Sequence, residues 1–468
     1  MARDPFDHQQ IAFCETYENR VYYVTKTGHV YRCGVDESGV FRNKPESYDK
    51  EYAPQLVSAL YDECIVQIVC ANSATAFLTS TGKVYTCGLK NTEMLCYGVD
   101  GVGQYFPRVV DLLLGEPINF ITTNHNRDRL CFLTLSNEIY ITNKNRLKKV
   151  KRCFEARIDK IMFFGGQLIV KTEKSDLYCC DYEKELHLSS GKDLLFSPFS
   201  IYPHKVDLIV SSARDSLTFS YSRQECLFIT TTDGILMTSG FDPLLPEGKQ
   251  PPCSKLISIN LPVELRLMGI QKIVSNGRFA AFLMKNGAVY ICGHLNIEML
   301  GLSTTDVKTY PFYPVIFKSK VYIKDVFLSD SIDCIAFVTA DGVIYTAGFS
   351  SSGKLGIESK NGLVTPNYIE TLVSEKITQV CFTKDNAIFI TEVGYVYTCG
   401  HSIHSVGYPI ETLYKKVIIP ERINVNLKTP LASQVRGFNF FCGMGSKKSF
   451  DEDNYVMVEL EDFSSQIN

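Results

Sequence analysis

Short apolar bursts, interrupted at regular intervals by glycine, dominate the hydropathy pattern of this chain. In TAFLTSTGKVYTCG (75–88), two runs of strand-forming residues flank STG, whose glycine suits the positive φ of a tight hairpin turn. In the second run Val84 and Thr86 share one face, while Tyr85 and Cys87 share the other. Both faces are mostly apolar, which predicts a strand sandwiched between two other sheets. The unit recurs with its bracketing glycines at Gly28 and Gly34, Gly82 and Gly88, Gly234 and Gly240, Gly287 and Gly293, Gly342 and Gly348, and Gly394 and Gly400. Two degenerate copies, RLCFLTLSNEIYITN ending at Asn143 and QLIVKTEKSDLYCCD ending at Asp181, fill the gap and bring the count to eight. Several copies follow a further strand-like run, such as IVQIVC (65–70), IKDVFL (323–328) and ITQVCF (377–382). A period of about 50 residues with three or four short strands per unit predicts radial β repetition, because one such sheet cannot bury both faces alone. No helical stretch is long enough to make a βαβ fold. The expected fold is an all-β propeller.

The repeated phrase resembles the regulator of chromosome condensation repeat family. Its segments LTSTGKVYTCGLKNTEMLCYG (78–98), LMKNGAVYICGHLNIEMLGL (283–302) and VTADGVIYTAGFSSSGKLGI (338–357) follow that family's blade pattern. The resemblance covers residues 9–460 as a single propeller domain and implies seven blades by family norm, against eight by repeat count. On the seven-blade reading, 129–143 or 167–181 is an embellishment of its neighbour. The family's usual tryptophan before the closing glycine is replaced by Cys33, Cys87, Cys292, Cys399 or Ala347, and the chain has no tryptophan at all. That excludes the light sensing that tryptophans carry in a plant member of the family. Ring closure is expected from pairing the terminal segments 12–24 and 440–460.

Composition narrows the function classes. Apolar residues make up 45% and charged residues 21%, a globular balance. A net charge of −3 disfavours bulk nucleic-acid binding, since phosphate neutralisation needs a large positive excess. No run approaches the length of a membrane-spanning helix, and the N-terminus MARDPFDHQQIAF lacks a signal-peptide core. A soluble, cytoplasmic protein is expected, with nuclear residence as the alternative. The 17 cysteines include no CxxC pair, so buried reduced thiols acting as small hydrophobes are expected.

No catalytic constellation emerges, and no cofactor or metal is expected. GVDGVGQ (98–104) lacks the spacing of a phosphate cradle, and His401 with His404 lacks further ligands. The candidate partner-binding site is the basic run Lys144, Arg146, Lys148, Lys149, Lys151 and Arg152, read as an inter-blade connection. It would attract an acidic protein surface, such as a GTPase or a tubulin tail, or a phosphate-bearing ligand. The competing reading is a solvated blade edge whose lysines discourage sheet-to-sheet pairing. KKVKR within this run also has the form of a nuclear-import signal. Residues 182–215 and the proline-rich 241–262 are expected as loops on a propeller face. The acidic segment 450–463 is expected as a solvated terminus around a closing strand.

The pattern supports a non-enzymatic interaction scaffold binding other proteins. The resemblance also allows a guanine-nucleotide exchange factor for a small Ran-like GTPase, working by differential binding of states rather than bond chemistry. It allows a chromatin-binding module too, but MARDPFDHQQ lacks the basic tail that this role implies.

Overall fold

The computed structural model describes residues 10–17, 20–34, 51–71, 74–88, 104–113, 115–124, 128–143, 146–183, 194–199, 204–213, 225–240, 256–276, 279–293, 312–329, 334–348, 352–358, 363–401 and 417–422. These residues form eight sheets arranged as the blades of one ring, each built around an antiparallel meander of three strands. Blade 1 holds β1 (Ile11–Tyr17), β2 (Arg20–Thr25), β3 (Val30–Gly34) and β4 (Glu51–Leu56); blade 2 holds β5 (Ile65–Cys70), β6 (Ala74–Thr79), β7 (Val84–Gly88) and β8 (Gln104–Val109). Blade 3 holds β9 (Ile118–Thr123), β10 (Leu130–Thr134), β11 (Ile139–Asn143) and β12 (Arg146–Lys151). Blade 4 is β13 (Ile158–Phe164), β14 (Gln167–Thr172) and β15 (Leu177–Asp181). A two-residue strand β16 (Leu194–Leu195) adds to blade 3 in parallel with β12, and β17 (Ser197–Pro198) completes blade 4.

Blade 5 holds β18 (Val206–Ala213), β19 (Glu225–Thr231), β20 (Leu236–Ser239) and β21 (Leu256–Ile259). A short helix, α1 (Val263–Met268), leads into blade 6, which is β22 (Ile270–Ser275), β23 (Phe279–Met284), β24 (Val289–Gly293) and β25 (Tyr313–Pro314). Blade 7 holds β26 (Ile323–Leu328), β27 (Cys334–Thr339), β28 (Ile344–Gly348) and β29 (Leu363–Tyr368). Blade 8 holds β30 (Ile377–Phe382), β31 (Asn386–Thr391), β32 (Val396–Gly400) and β33 (Val417–Arg422).

Each blade is apolar on both faces because it is packed on both sides. In blade 2, Cys87 packs with Tyr22, Val24 and Val30 of blade 1, while Val84 packs with Ile118, Ile121 and Phe132 of blade 3. Cross-strand pairs repeat the tyrosine of the motif opposite a large buried side chain: Tyr85 faces Phe77, Tyr290 faces Phe282, Tyr345 faces Phe337 and Tyr397 faces Phe389. Phe77, Phe282, Phe337 and Phe389 are among the largest fully buried side chains.

The turn between the second and third strands is the hinge of the repeat. Thr79 Oγ1 accepts from the Lys83 amide, and the same threonine-to-i+4 bond recurs at Thr25, Thr134, Thr172, Thr231, Thr339 and Thr391. Gly82 sits in this turn at φ 83°, where its carbonyl accepts from the Ile118 amide of the next blade at 2.9 Å. Equivalent bonds join Ile65 to Gly28, Ile323 to Gly287 and Ile377 to Gly342.

Both degenerate copies are complete blades, so the ring has eight blades, not seven. Asn137 and Ser175 replace the turn glycine there and still adopt positive φ, 68° and 64°. Asn137 accepts the Ile158 amide on its side-chain oxygen at 2.9 Å, restoring the seam bond by another atom.

Closure is described on one side of the expected terminal pairing. Residues 12–24 pair with each other as β1 and β2 inside blade 1, and 440–460 lies outside the described residues. The ring shuts face to face: Ile11, Cys14, Val21 and Tyr23 pack with Ile388, Phe389 and Cys399 of blade 8. The Ile11 amide donates to Gly394 O at 3.0 Å, repeating the seam bond of the other blades.

Side chains on the innermost strands add polar spokes. Gln67 accepts from the Ile121 amide at 3.0 Å and donates to its carbonyl at 2.8 Å, which joins blades 2 and 3. Gln379 does the same to Cys14 at 3.3 and 3.1 Å across the closing seam. Lys160 donates to Ile209 O at 2.8 Å, and Lys272 pairs with Asp325. Replacing Gln379 with leucine strands the buried Cys14 amide, so a stability loss of about 1–3 kcal/mol in denaturant titration is expected. A loss no larger than that of an exposed control such as Lys174→Leu would show that the spoke does not hold the seam.

The cysteine expectation agrees with the structure. Cys33, Cys87, Cys292 and Cys399 are buried and unbridged, and burial pushes the Cys131 and Cys399 thiols well up, keeping them neutral.

Candidate interaction surfaces

Strand direction divides the propeller into two faces. One carries the hairpin turns between second and third strands and the links between blades. The other carries the connections from third to fourth strands, whose residues (35–50, 89–103, 241–255, 294–311 and 402–416 among them) lie outside the described set. The SSGKLGI connection is described in part, from residue 352: Lys354 is buried there and donates to Lys384 O at 2.9 Å, tying blade 7 to blade 8.

The basic run is not an inter-blade connection. Arg146–Lys151 is β12, paired antiparallel with β11 on one side and parallel with β16 on the other; Leu147 packs toward blade 2 and Val150 toward blade 4, while Arg146, Lys149 and Lys151 are exposed. Its charge is partly neutralised in place: Glu138 accepts from Lys149 at 3.2 Å and Arg152 at 3.4 Å. Lys149 also lies 6.0 Å from the Tyr140 ring centroid, and Arg152 lies 5.9 Å from that of Phe154. Arg146 is exposed, and Lys144 lies outside the described residues.

The two expected face loops are corrected in part. Residues 194–198 supply rim strands of blades 3 and 4, and 206–213 is the innermost strand of blade 5. Residues 256–259 are the outer strand of blade 5, and 263–268 is α1. His401 is exposed, its amide bonded to Asp385 O, and His404 lies outside the described residues. Among the described residues no group of three or more His, Cys, Asp or Glu side chains is placed to hold a metal, and no helix is long and apolar enough to cross a membrane.

A second surface was not visible in the sequence. Most exposed large hydrophobics lie on the tight-turn face: Tyr61, Leu135, Val263, Leu267, Ile316, Tyr322, Val373 and Val393. Their densest stretch spans blades 5 to 7. The links from blade 1 to 2, 2 to 3 and 7 to 8 carry 3-10 turns that bury Leu60, Leu113 and Leu372. The link from blade 5 to 6 carries α1 instead, anchored by buried Leu265. Val263 and Leu267, one turn apart, are 63% and 83% exposed. In the next link Ile316 is 66% and Tyr322 49% exposed.

Contacts make this surface continuous. Arg266 of α1 lies against Gly234 of the blade 5 turn, and the Lys285 amide donates to Gly269 O at 3.0 Å. Tyr322 donates to Lys285 O at 2.9 Å and lays its ring on Gly287. Arg266, Lys285, Lys318, Lys320 and Lys324, from the same links and turn, are exposed, with Glu264 the one acid on α1. None of the four lysines makes an ion pair among the described residues. The signal available in the sequence was the alternation IFKSKVYIK (316–324), whose cations and apolar residues come from a link rather than a repeat.

Fold and surface together define an eight-bladed β-propeller with exposed apolar side chains and cations on its tight-turn face. No family model matches the chain. Curated relatives match in part. The inhibitor of Bruton tyrosine kinase of Xenopus laevis is 34% identical over 110 residues, which is 23% of this chain and 8% of that one. The human probable E3 ubiquitin-protein ligase HERC3 is 27% identical over 132 residues, 28% of this chain and 12% of the relative. The matched segments thus span a small part of either relative. The crystal structure of Prp20p from Saccharomyces cerevisiae, described with its binding to Gsp1p and histones, superposes with a TM-score of 0.51 at 14% identity. It covers 86% of this chain and 87% of that one. This chain is a repeat propeller of the regulator-of-chromosome-condensation type.

Proposed function

We propose that the chain is a non-enzymatic scaffold that binds partner proteins through the tight-turn face of blades 5 to 7. The observation that carries the proposal is Leu267, 83% exposed beside Val263, with exposed Lys285 against Gly269 at the end of the same helix. Exposed apolar anchors inside a charged rim are the anatomy of a protein interface. The relatives are compatible with this reading, since a kinase inhibitor and a ligase both contain a segment similar to it. Strand β12 is the second candidate surface, weakened by its own Glu138 pairs. The exchange-factor reading rests on the resemblance alone.

Quantitative affinity purification from the same cells tests the proposal with three baits: the parent chain, a Leu267→Asp/Lys318→Glu/Lys320→Glu variant, and a Lys148→Glu/Lys149→Glu/Lys151→Glu variant. Partner recovery is expected to fall at least tenfold for the first variant and less than twofold for the second. The opposite pattern would move the docking surface to blade 3. A nucleotide-release assay with a Ran-like GTPase is expected to show no acceleration at micromolar protein, and acceleration would establish the exchange-factor reading instead.

A further inference from the structure

The patch on blades 5 to 7 has a complementary segment within the same chain. We propose that the C-terminal segment FDEDNYVMVELEDF (450–463) docks on the α1–Tyr322 surface and competes there with the partner proposed above. The segment holds six acids, Asp451, Glu452, Asp453, Glu459, Glu461 and Asp462, and no base. Between them stand Tyr455, Val456, Met457, Val458 and Leu460. The surface holds the opposite set: five exposed cations and four exposed apolar side chains. Opposite charges at a rim guide encounter and register, while the apolar side chains supply the affinity.

Topology places the start of the segment's tether on the correct face. Strand β33 runs antiparallel to β32, with Val417 opposite Gly400 and Arg422 opposite Tyr397. The chain therefore leaves β33 at the end where the turn at Gly394 lies, which is the tight-turn face. Blade 8 is separated from blade 6 by blade 7 alone, and packed sheets lie about 10 Å apart. Residues 423–450 reach up to about 90 Å when extended, at about 3.3 Å per residue. Reach is therefore ample. Tethering also raises the effective concentration of the segment to about the millimolar range, so a weak contact suffices. Strand β12 is a poorer seat, because Glu138 already pairs with Lys149 and Arg152, and the exposed apolar side chain set against the strand is Leu195 of β16, opposite Lys151, rather than a cluster of four.

Docking in this manner shields Leu267 and Val263 until a partner displaces the acidic segment. Partner binding would then be weaker in the parent chain than in a form whose six acids are replaced by amides. This consequence rests on the proposed function, whereas the docking itself does not.

Zero-length carbodiimide cross-linking of the full chain, which joins carboxylates to amines in direct contact, tests the docking. At physiological salt, mass spectrometry is expected to find 451–462 joined to Lys285, Lys318, Lys320 or Lys324. An equal mixture of isotopically light and heavy protein is expected to give links within one chain. In the Lys318→Glu/Lys320→Glu variant, links to the remaining two lysines should fall at least fivefold. The link between Lys83 and Glu63, paired at 2.8 Å, should persist in every sample as the folding control. Links from the segment to β12, links scattered over all lysines, links only between light and heavy chains, or none while the control forms would each overturn the docking. Loss of partners by the patch variant without such links would sink the docking and leave the scaffold reading standing. Links with no partner loss would do the reverse.

Discussion

Gly394→Val is expected to open the ring at its closing seam. Gly394 sits at φ 94°, and a Cβ there would lie 2.6 Å from Gln10 Cβ and 2.8 Å from the Ile11 backbone nitrogen and oxygen. The backbone conformation alone costs a side-chain-bearing residue about 1–3 kcal/mol. The neighbour cannot yield cheaply, because Ile11 is buried and its amide holds the seam bond to Gly394 O. The expected result is a fall of more than about 3 kcal/mol in denaturant titration and fast hydrogen exchange across β1. Gly115→Ala separates the two causes: its φ is 91°, but nothing lies within 4 Å of the added carbon. It should cost only the conformational part. Equal losses at the two sites would show that the seam does not depend on close packing at Gly394.

Phe337→Ala is expected to cost about 3–5 kcal/mol, the usual range for emptying a buried phenylalanine site. Phe337 is fully buried in β27, edge-on to Phe317 at 5.2 Å and opposite Tyr345. It packs in the same apolar cluster as Ile291 and Val289 of blade 6, so the void would loosen a seam rather than one sheet. Thermal unfolding and denaturant titration both read this. A loss below about 1.5 kcal/mol would mean that the blade interface collapses to fill the space, contrary to the rigid packing described.

The eight-blade repeat was legible because turn chemistry repeats. A threonine, a positive-φ residue and an alternating third strand recur at nearly fixed spacing, and each has a local physical cause. The two worn copies remained countable by spacing, although Asn137 and Ser175 had replaced the glycine. The choice between seven and eight blades needed their actual pairing. Of the expected closure, 440–460 lies outside the described residues, whereas 11–25 follows the same two-strand pattern as 65–79 and forms β1 and β2 of its own blade.

The candidate surfaces were much less legible. The basic run is contiguous, so it was conspicuous, but Glu138 lies in the preceding hairpin and its pairing with Lys149 and Arg152 is a product of register. Rim strands of two residues leave no periodicity to detect. Val263 and Leu267 look like core positions of a helix, since sequence alone does not say which side of a six-residue helix meets solvent. Lys285 and Tyr322 come from different elements and meet through the Tyr322 hydroxyl on Lys285 O and its ring on Gly287.

The most direct measurement for the scaffold reading is hydrogen–deuterium exchange on the propeller with and without a partner recovered by affinity purification. The account predicts slowed exchange in 262–269, 285–287 and 315–324, with 146–151 unchanged. Protection confined to 146–151, or to the connections on the opposite face, would contradict it.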